Sequence, residues 1–243
     1  LGLFSSITAW TKRITAVEEI PEVLGEAMKT FRTRRPRPVA IEVPTEVFDE
    51  KAELTIPLSV NFAPPCGHPD SIREAADLLQ RASRPVIYAG AGVITAGAWG
   101  PLRELAELLQ APVLTSTKGK GVFPEDHPLA LGTHGVEEPA QGLLQTCDVG
   151  LAVGTRLSQL STGGWKIPLS ENLIQVDIDP ASIGNTYPVQ VGIVGDAGMV
   201  LAALVRELRG RGFASPPFPI GELERVRREI YEDWQSFGEG EMA

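Results

Sequence analysis

Apolar positions form two kinds of segment that alternate along the chain from residue 70 onwards. Short, continuously apolar runs predict buried strands, at 85–89, 112–115, 149–153, 173–178 and 190–194. Apolar residues three or four positions apart predict helices, from 71 and near 98–110, 138–146 and 197–209. Ser71 and Glu74 have the spacing of a capping box at the start of the first of these helices. Because such alternation is typical of a parallel sheet with helices on both faces, we expect a doubly wound, Rossmann-like α/β domain over 70–210.

The segments that flank this predicted domain follow other patterns. Residues 18–31 predict a helix whose apolar face carries Val23, Leu24, Ala27, Met28 and Phe31. A short strand at 39–43 follows, and residues 44–69 hold five prolines without a helical period, as linkers do. Residues 221–237 predict a charged helix with a narrow apolar stripe of Leu223, Val226, Ile230 and Trp234. We expect this stripe to need a partner surface that the chain itself does not supply.

Charge and composition narrow the partners to expect. The 243 residues carry a formal net charge of −9, which argues against nucleic acid as the main ligand. No run of eighteen apolar residues and no signal-peptide core occurs, so we expect a soluble, cytoplasmic protein without a membrane partner. Cys66 and Cys147 lack metal-ligand spacing with each other and with the three histidines. We therefore expect no metal site in this chain.

The glycines after the first strand of the α/β domain are the first candidate site. Gly90 and Gly92 stand where a dinucleotide-binding fold lets its backbone approach a pyrophosphate. The third glycine of that motif is replaced by Thr95, and no acidic residue ends the second strand to hold a ribose. This turn alone is equally compatible with nucleotide binding and with a tight structural turn.

Loops after the later strands add polar candidates, because the carboxyl ends of parallel strands share one edge of the sheet. Gly154, Thr155 and Arg156 would place a cation there for a phosphate or a ring, the alternative being a surface arginine paired with a carboxylate. Asp177 could accept hydrogen bonds from a ribose or an adenine amine. Asp179 and Asp196 are more simply helix caps, with a ligand contact of Asp196 as the minor alternative.

The loop that contains His134 and Gly135 is the last candidate. His134 has no carboxylate or nucleophile beside it in sequence, so backbone contact with a ligand or a structural loop is favoured over acid–base catalysis. Neither a GxSxG nor a GxxxxGK[ST] motif is present. The residues alone therefore predict an α/β domain that binds, or once bound, a nucleotide, without catalytic residues. A free-standing NAD-dependent dehydrogenase is the alternative enzyme class.

Five sequence motifs occur together in one order over about 130 residues. They are VIYAGAGV at 86–93, APVLTSTKGKGVFPEDHPLALGTHG at 111–135, CDVGLAVGTRLS at 147–158, LIQVDIDPASIG at 173–184 and VGDA at 194–197. Together they resemble the central domain of thiamine diphosphate-dependent enzymes of the acetolactate synthase-like family. The resemblance implies the carboxyl-terminal part of a pyrimidine-binding domain at 1–47, a linker at 48–69 and the central domain at 70–210. Residues 211–243 would be a linker and helix toward an absent pyrophosphate-binding domain.

The resemblance also implies a function for the longer protein. That enzyme would be a carboligase or decarboxylase of 2-keto acids and a homo-oligomer, with its thiamine diphosphate and magnesium sites outside this chain. Ala197 follows Asp196 where the family's magnesium motif has glycine, so magnesium ligation by Asp196 is not expected. Relatives bind FAD, ADP or no nucleotide in the central domain. The implied nucleotide contacts are Gly90, Gly92, His134, Gly135, Gly154, Thr155, Arg156, Asp177 and Asp196. The chain departs from acetolactate synthases after Arg156, and by itself it would be a fragment without catalysis of its own.

Overall fold

The computed structural model describes residues 1–54 and 62–240, with side chains to residue 236. The chain divides into two compact units, Leu1–Pro64 and Pro65–Ala243. This division falls within the predicted linker at 48–69, of which residues 55–61 lie outside the described residues.

The amino-terminal unit is a small β–α–β arrangement. Its elements are β1 (Thr11–Arg13), α1 (Ile20–Thr33), β2 (Ala40–Glu42) and the single turn α2 (Thr45–Phe48), and β1 pairs with β2 in parallel. Val23 and Ala27 of α1 are buried, but Leu24, Met28 and Phe31 of the predicted apolar face are exposed. The prediction of one buried face is therefore only half right, since within this unit a two-stranded sheet covers one side of the helix.

The second unit is built on a six-stranded sheet. Its strands are β3 (Pro85–Ala89), β4 (Val113–Thr115), β5 (Ala130–Gly132), β6 (Val149–Val153), β7 (Leu173–Asp177) and β8 (Val191–Val194). Every neighbouring pair is parallel, in the order β5-β4-β3-β6-β7-β8. Along the chain, the sheet begins with β3 in its middle and extends through β4 to β5 at one edge. The chain then returns beside β3 to form β6, β7 and β8 on the other side. This order confirms the predicted doubly wound fold and places the topological switch point between β3 and β6.

Helices cover both faces of this sheet. They are α3 (Pro69–Arg81), the short α4 (Ala91–Thr95), α5 (Trp99–Leu109), α6 (Glu138–Leu144), α7 (Ala197–Gly210) and α8 (Ile220–Gly240). α7 packs against α3 and α5, whereas α6 packs against α8. Apolar residues of all the strands and of these helices form one continuous core. Among the described residues no helix is both long and apolar enough to cross a membrane.

The predicted capping box at the start of α3 is wrong. The helix begins two residues earlier, at Pro69, and the imidazole of His68 accepts a hydrogen bond from the Asp70 amide at 3.2 Å. Pro69 suits the first helical position, because its ring fixes a helical φ and it has no amide hydrogen to leave unpaired. Ser71 and Glu74 consequently lie inside the helix.

Three of the four residues of the predicted apolar stripe of α8 are buried by this chain, contrary to expectation, whereas the fourth, Trp234, is 56% exposed. Leu223, Val226 and Ile230 are 0–3% exposed and belong to the core of the second unit. An ion pair between Arg84 and Glu222, 2.8 Å long, secures the first turn of the helix. α8 is thus packed into the core of the second unit, and its buried residues need no partner surface from outside the chain.

Candidate functional site

Four glycines at the switch point make close backbone contacts with one another. The amide of Gly90 donates to the Val153 carbonyl and the amide of Gly92 to the Gly154 carbonyl, both at 2.9 Å. A Cβ atom on Gly92 would lie 2.6 Å from the Gly154 Cα, and one on Gly90 would overlap the Gly154 carbonyl oxygen. Gly119 joins from the loop after β4, where a Cβ would lie 2.7 Å from the Ala89 carbonyl oxygen. We call Gly90, Gly92, Gly119 and Gly154 the glycine cluster.

Backbone contacts within the glycine cluster explain why these four positions are glycine, and no ligand is needed to explain it. Backbone approaches backbone so closely that no side chain fits, and Gly154 also has a left-handed φ of +58°. The amides of Gly90 and Gly92 are used in the contact between the two loops. They therefore cannot bind a pyrophosphate in the way of a dehydrogenase turn without breaking those bonds.

Arg156 lies just beyond this cluster, on the loop that follows β6. Its side chain is exposed, and its guanidinium has no hydrogen bond or ion pair with any other described residue. Its backbone is fixed, because its carbonyl accepts from the Thr186 hydroxyl at 3.3 Å and the neighbouring Leu157 is fully buried. Thr155 is also buried, and its hydroxyl accepts from the Leu157 amide at 3.2 Å. The alternative of a surface arginine paired with a carboxylate does not describe this site.

Sequence reasoning missed two residues, one at the end of β4 and one in the loop that follows it. Lys118, in the loop of the glycine cluster, is exposed and has no ion pair among the residues described. Thr115 ends β4 beside Ala89, is 5% exposed, and its hydroxyl has no hydrogen-bond partner in the described part of the chain. A lysine directly before Gly119, in a short basic and glycine-containing run, was the available signal for Lys118. Nothing in the sequence marks the Thr115 hydroxyl as unpaired.

The three aspartates support local turns. The buried Asp177 accepts from the Asp179 amide at 2.9 Å, and Asp179 accepts from the Ala181 amide at 3.1 Å, which confirms it as a cap. One carboxylate oxygen of Asp196 accepts from the amides of Gly198 and Met199 at the start of α7, so the predicted capping role is confirmed.

His134 and Gly135 lie after β5, on the other side of β3 from Arg156. Gly135 is buried, and a Cβ there would lie 2.7 Å from a Leu114 methyl. The imidazole of His134 meets the indole of Trp234 edge-on, with ring centroids 5.2 Å apart. Burial lowers the pKa of His134 below its usual value, which favours the neutral ring. The side chain is thus engaged with α8.

The residues predicted to contact a nucleotide therefore lie in three places along the sheet edge, one at the switch point and one on either side of it. Gly90, Gly92 and Gly154 touch one another at the switch point, with Thr155 and Arg156 next along the chain. Asp177 and Asp196 lie at the ends of β7 and β8, two and three strands from β3. Within the described residues, no three His, Cys, Asp or Glu side chains are grouped so that they could hold a metal ion.

Comparison with known proteins decides the family. Residues 72–204 match the family model described as the thiamine pyrophosphate enzyme, central domain. The chain belongs to the thiamine pyrophosphate enzymes. This confirms the resemblance drawn from the five motifs, thiamine pyrophosphate and thiamine diphosphate being the same cofactor. It also favours this family over a free-standing NAD-dependent dehydrogenase.

Relatives of this chain carry different activities in their names. The chain is 43% identical over 218 residues to the probable acetolactate synthase large subunit of Methanocaldococcus jannaschii, a match that covers 86% of this chain and 37% of that protein. It is 36% identical over 231 residues to the probable 2-ketoarginine decarboxylase AruI of Pseudomonas aeruginosa, covering 94% and 41%. Benzoylformate decarboxylase from Polynucleobacter necessarius has the same fold, with a TM-score of 0.67, 24% identity and coverage of 82% and 38%. The chain thus spans about two fifths of the curated relatives it matches.

Proposed function

We propose that this chain is the nucleotide-binding central region of a thiamine diphosphate-dependent enzyme that acts on 2-keto acids. The enzyme would be an acetolactate synthase-like carboligase or a decarboxylase, and the ligand of this region FAD or ADP. The observation that carries the proposal is Arg156, an exposed and unpaired guanidinium on a fixed backbone at the switch point. Ligands of doubly wound folds bind at this edge, and a guanidinium suits phosphate oxygens.

The remaining residues of the edge support phosphate binding by side chains rather than by the glycine turn. Because the amides of Gly90 and Gly92 are already bonded, the negative charge of a diphosphate falls to cationic side chains. Arg156 and Lys118 lie in loops that pack on the glycine cluster from opposite sides, the first after β6 and the second after β4. The unpaired hydroxyl of Thr115 is a further buried donor at the end of β4.

The residues that the structure describes provide no group of ligands for the magnesium that the family resemblance associates with thiamine diphosphate. When bound, thiamine diphosphate supplies the electron sink that makes decarboxylation of a 2-keto acid feasible. The metal would need a group of oxygen ligands, whereas a carboxylate oxygen of Asp196 is occupied by the cap of α7. The catalytic centre of the proposed enzyme is therefore formed by parts of the protein that these residues do not include. A homo-oligomer in the cytoplasm remains an expectation from the resemblance.

Two measurements test the proposal. Titration of the chain with ADP and with FAD should give saturable binding at one site per chain. Mixing the chain with thiamine diphosphate, magnesium and pyruvate should give no turnover, and turnover would contradict a region without catalysis of its own.

A second candidate is a spacer domain that has lost its nucleotide. The observation that favours it is the glycine cluster, whose turn is filled by the protein's own backbone. Under this alternative neither ADP nor FAD binds, so the same titration separates the two candidates.

A further inference from the structure

Trp165 has a backbone conformation that a bulky residue rarely adopts. Its φ is +62°, and it follows two glycines, Gly163 and Gly164, that also have left-handed φ values of +57° and +78°. In this region a Cβ atom is crowded by the backbone, which is why glycine dominates it. A tryptophan here costs free energy that a glycine would not.

The turn around Trp165 is fixed by a buried threonine. Thr162 is 0% exposed, and its hydroxyl accepts from the Trp165 amide and donates to the Ser158 carbonyl, both at 2.9 Å. The Thr162 carbonyl also accepts from the Lys166 amide at 2.9 Å. The left-handed conformation is therefore imposed by the surrounding bonds and is not a loose loop.

Packing does not account for the indole at this position. Two other non-glycine residues of the described chain have left-handed φ values, and each has a structural reason. Gln110 ends α5 and its side chain bonds the last turn, and Leu157 is fully buried in the core. Trp165 is 50% exposed instead. Strained residues that packing does not explain are found at ligand clamps and active sites.

Trp165 and Arg156 are held on the same loop at the switch point. Consecutive residues secure both ends of it, since the Thr186 hydroxyl bonds the Arg156 carbonyl and the Tyr187 hydroxyl bonds the Ile167 carbonyl, each at 3.3 Å. Tyr88 of β3 fixes the middle through a 2.6 Å bond from its hydroxyl to the Ser161 carbonyl. The indole and the guanidinium are thus carried by one braced segment.

We infer that Trp165 stacks on the aromatic ring of the nucleotide whose phosphate groups Arg156 binds. This inference rests on the proposed function and adds how the ring is recognised. An indole offers a large flat face, and stacking on it tolerates either an adenine or a flavin. A rigid platform also loses little conformational entropy on binding, which is a functional reason for the strained turn.

The test compares ligands with and without a ring on variants of Trp165. ADP and inorganic pyrophosphate are titrated against the wild-type chain, Trp165→Leu and Trp165→Phe, with Leu160→Ala as the matched control, an 83% exposed residue of the same loop. We expect Trp165→Leu to weaken ADP binding about tenfold, with pyrophosphate binding unchanged. Trp165→Phe should retain most of the affinity, and Leu160→Ala all of it. ADP should quench tryptophan fluorescence in the wild type but not in Trp165→Phe.

The outcomes separate this inference from the proposed function. Absence of both ADP and FAD binding by the wild type would overturn both. ADP binding that is equal in the wild type and Trp165→Leu would overturn the inference and leave the nucleotide site standing. An equal loss of ADP and pyrophosphate affinity in Trp165→Leu would also overturn it, because the effect would not concern the ring. The inference would also be overturned if Trp165→Leu left ADP binding unchanged but altered the oligomeric state, because the indole would then belong to a protein contact.

Discussion

Single residues at the switch point differ in whether they pack against backbone or face solvent. Gly154 lets two loops meet, with its φ of +58° and with room for no side chain, whereas Arg156 two residues later presents an unpaired charge to solvent. A sequence motif of glycines cannot distinguish a backbone that approaches a ligand from one that approaches another loop. This is why the position of these glycines at the sheet edge could be predicted from the sequence but their contacts could not.

Replacement of Gly154 by alanine should destabilise the domain. The left-handed conformation and the overlap with Gly92, whose Cα would lie 2.7 Å from the new Cβ, oppose the methyl group together. We expect a loss of about 2–4 kcal/mol in the free energy of unfolding, measured with urea. Gly142→Ala is the control, because Gly142 lies exposed in α6 with nothing near its Cβ position and should gain about 0.5–1 kcal/mol. Equal stability of the two variants would contradict the glycine cluster.

Whole elements can be predicted from the sequence where their buried residues form a simple apolar pattern. The strands from β3 to β8 that are buried on both faces were predicted from continuous apolar runs such as 85–89 and 149–153. β1 and β5 were not predicted: β1 consists of Thr, Lys and Arg, which form no apolar run, and β5 is a three-residue strand that ends in glycine. The stripe of α8 was recognised, but its partner surface, formed by distant parts of the chain, has no signature in local periodicity.

The packing of α8 can be tested by shortening one buried side chain. Ile230 is 3% exposed, and its replacement by alanine should cost about 2–5 kcal/mol of unfolding free energy through the cavity left behind. Tyr231→Ala, one position on and 62% exposed, should change stability by less than about 0.5 kcal/mol. Similar small effects for both variants would show that α8 does not belong to the domain core.

The contact of α8 with His134 predicts a pH dependence of stability. Because burial lowers the pKa of His134 in the folded chain, the unfolded chain takes up a proton first as the pH falls below about 6.5. Glu137 and Glu125 oppose this shift and Lys120 adds to it. Stability should therefore fall toward acid pH, and less so in His134→Asn, which cannot titrate. Urea unfolding at about pH 7.5 and about pH 5.5 measures this, and an identical loss in both proteins would contradict it.

At the scale of the whole molecule, family membership and reaction are separate questions. Relatives named for acetolactate synthesis and for 2-ketoarginine decarboxylation match the chain at 43% and 36% identity, and each extends well beyond it. A shared central fold does not select between those reactions, because chemistry is determined by the residues of the catalytic site. What the central domain can reveal is its own ligand.

The most direct test is calorimetric titration of three proteins, the wild-type chain, Arg156→Ala and Arg206→Ala, with ADP and with FAD. Arg206 is an exposed arginine on α7 without an ion pair among the described residues, so it controls for the loss of one positive charge. We predict saturable binding to the wild type and to Arg206→Ala, and a loss of at least about tenfold in affinity for Arg156→Ala. Failure of both ADP and FAD to bind the wild type, or equal affinity in all three proteins, would contradict a nucleotide site at the switch point.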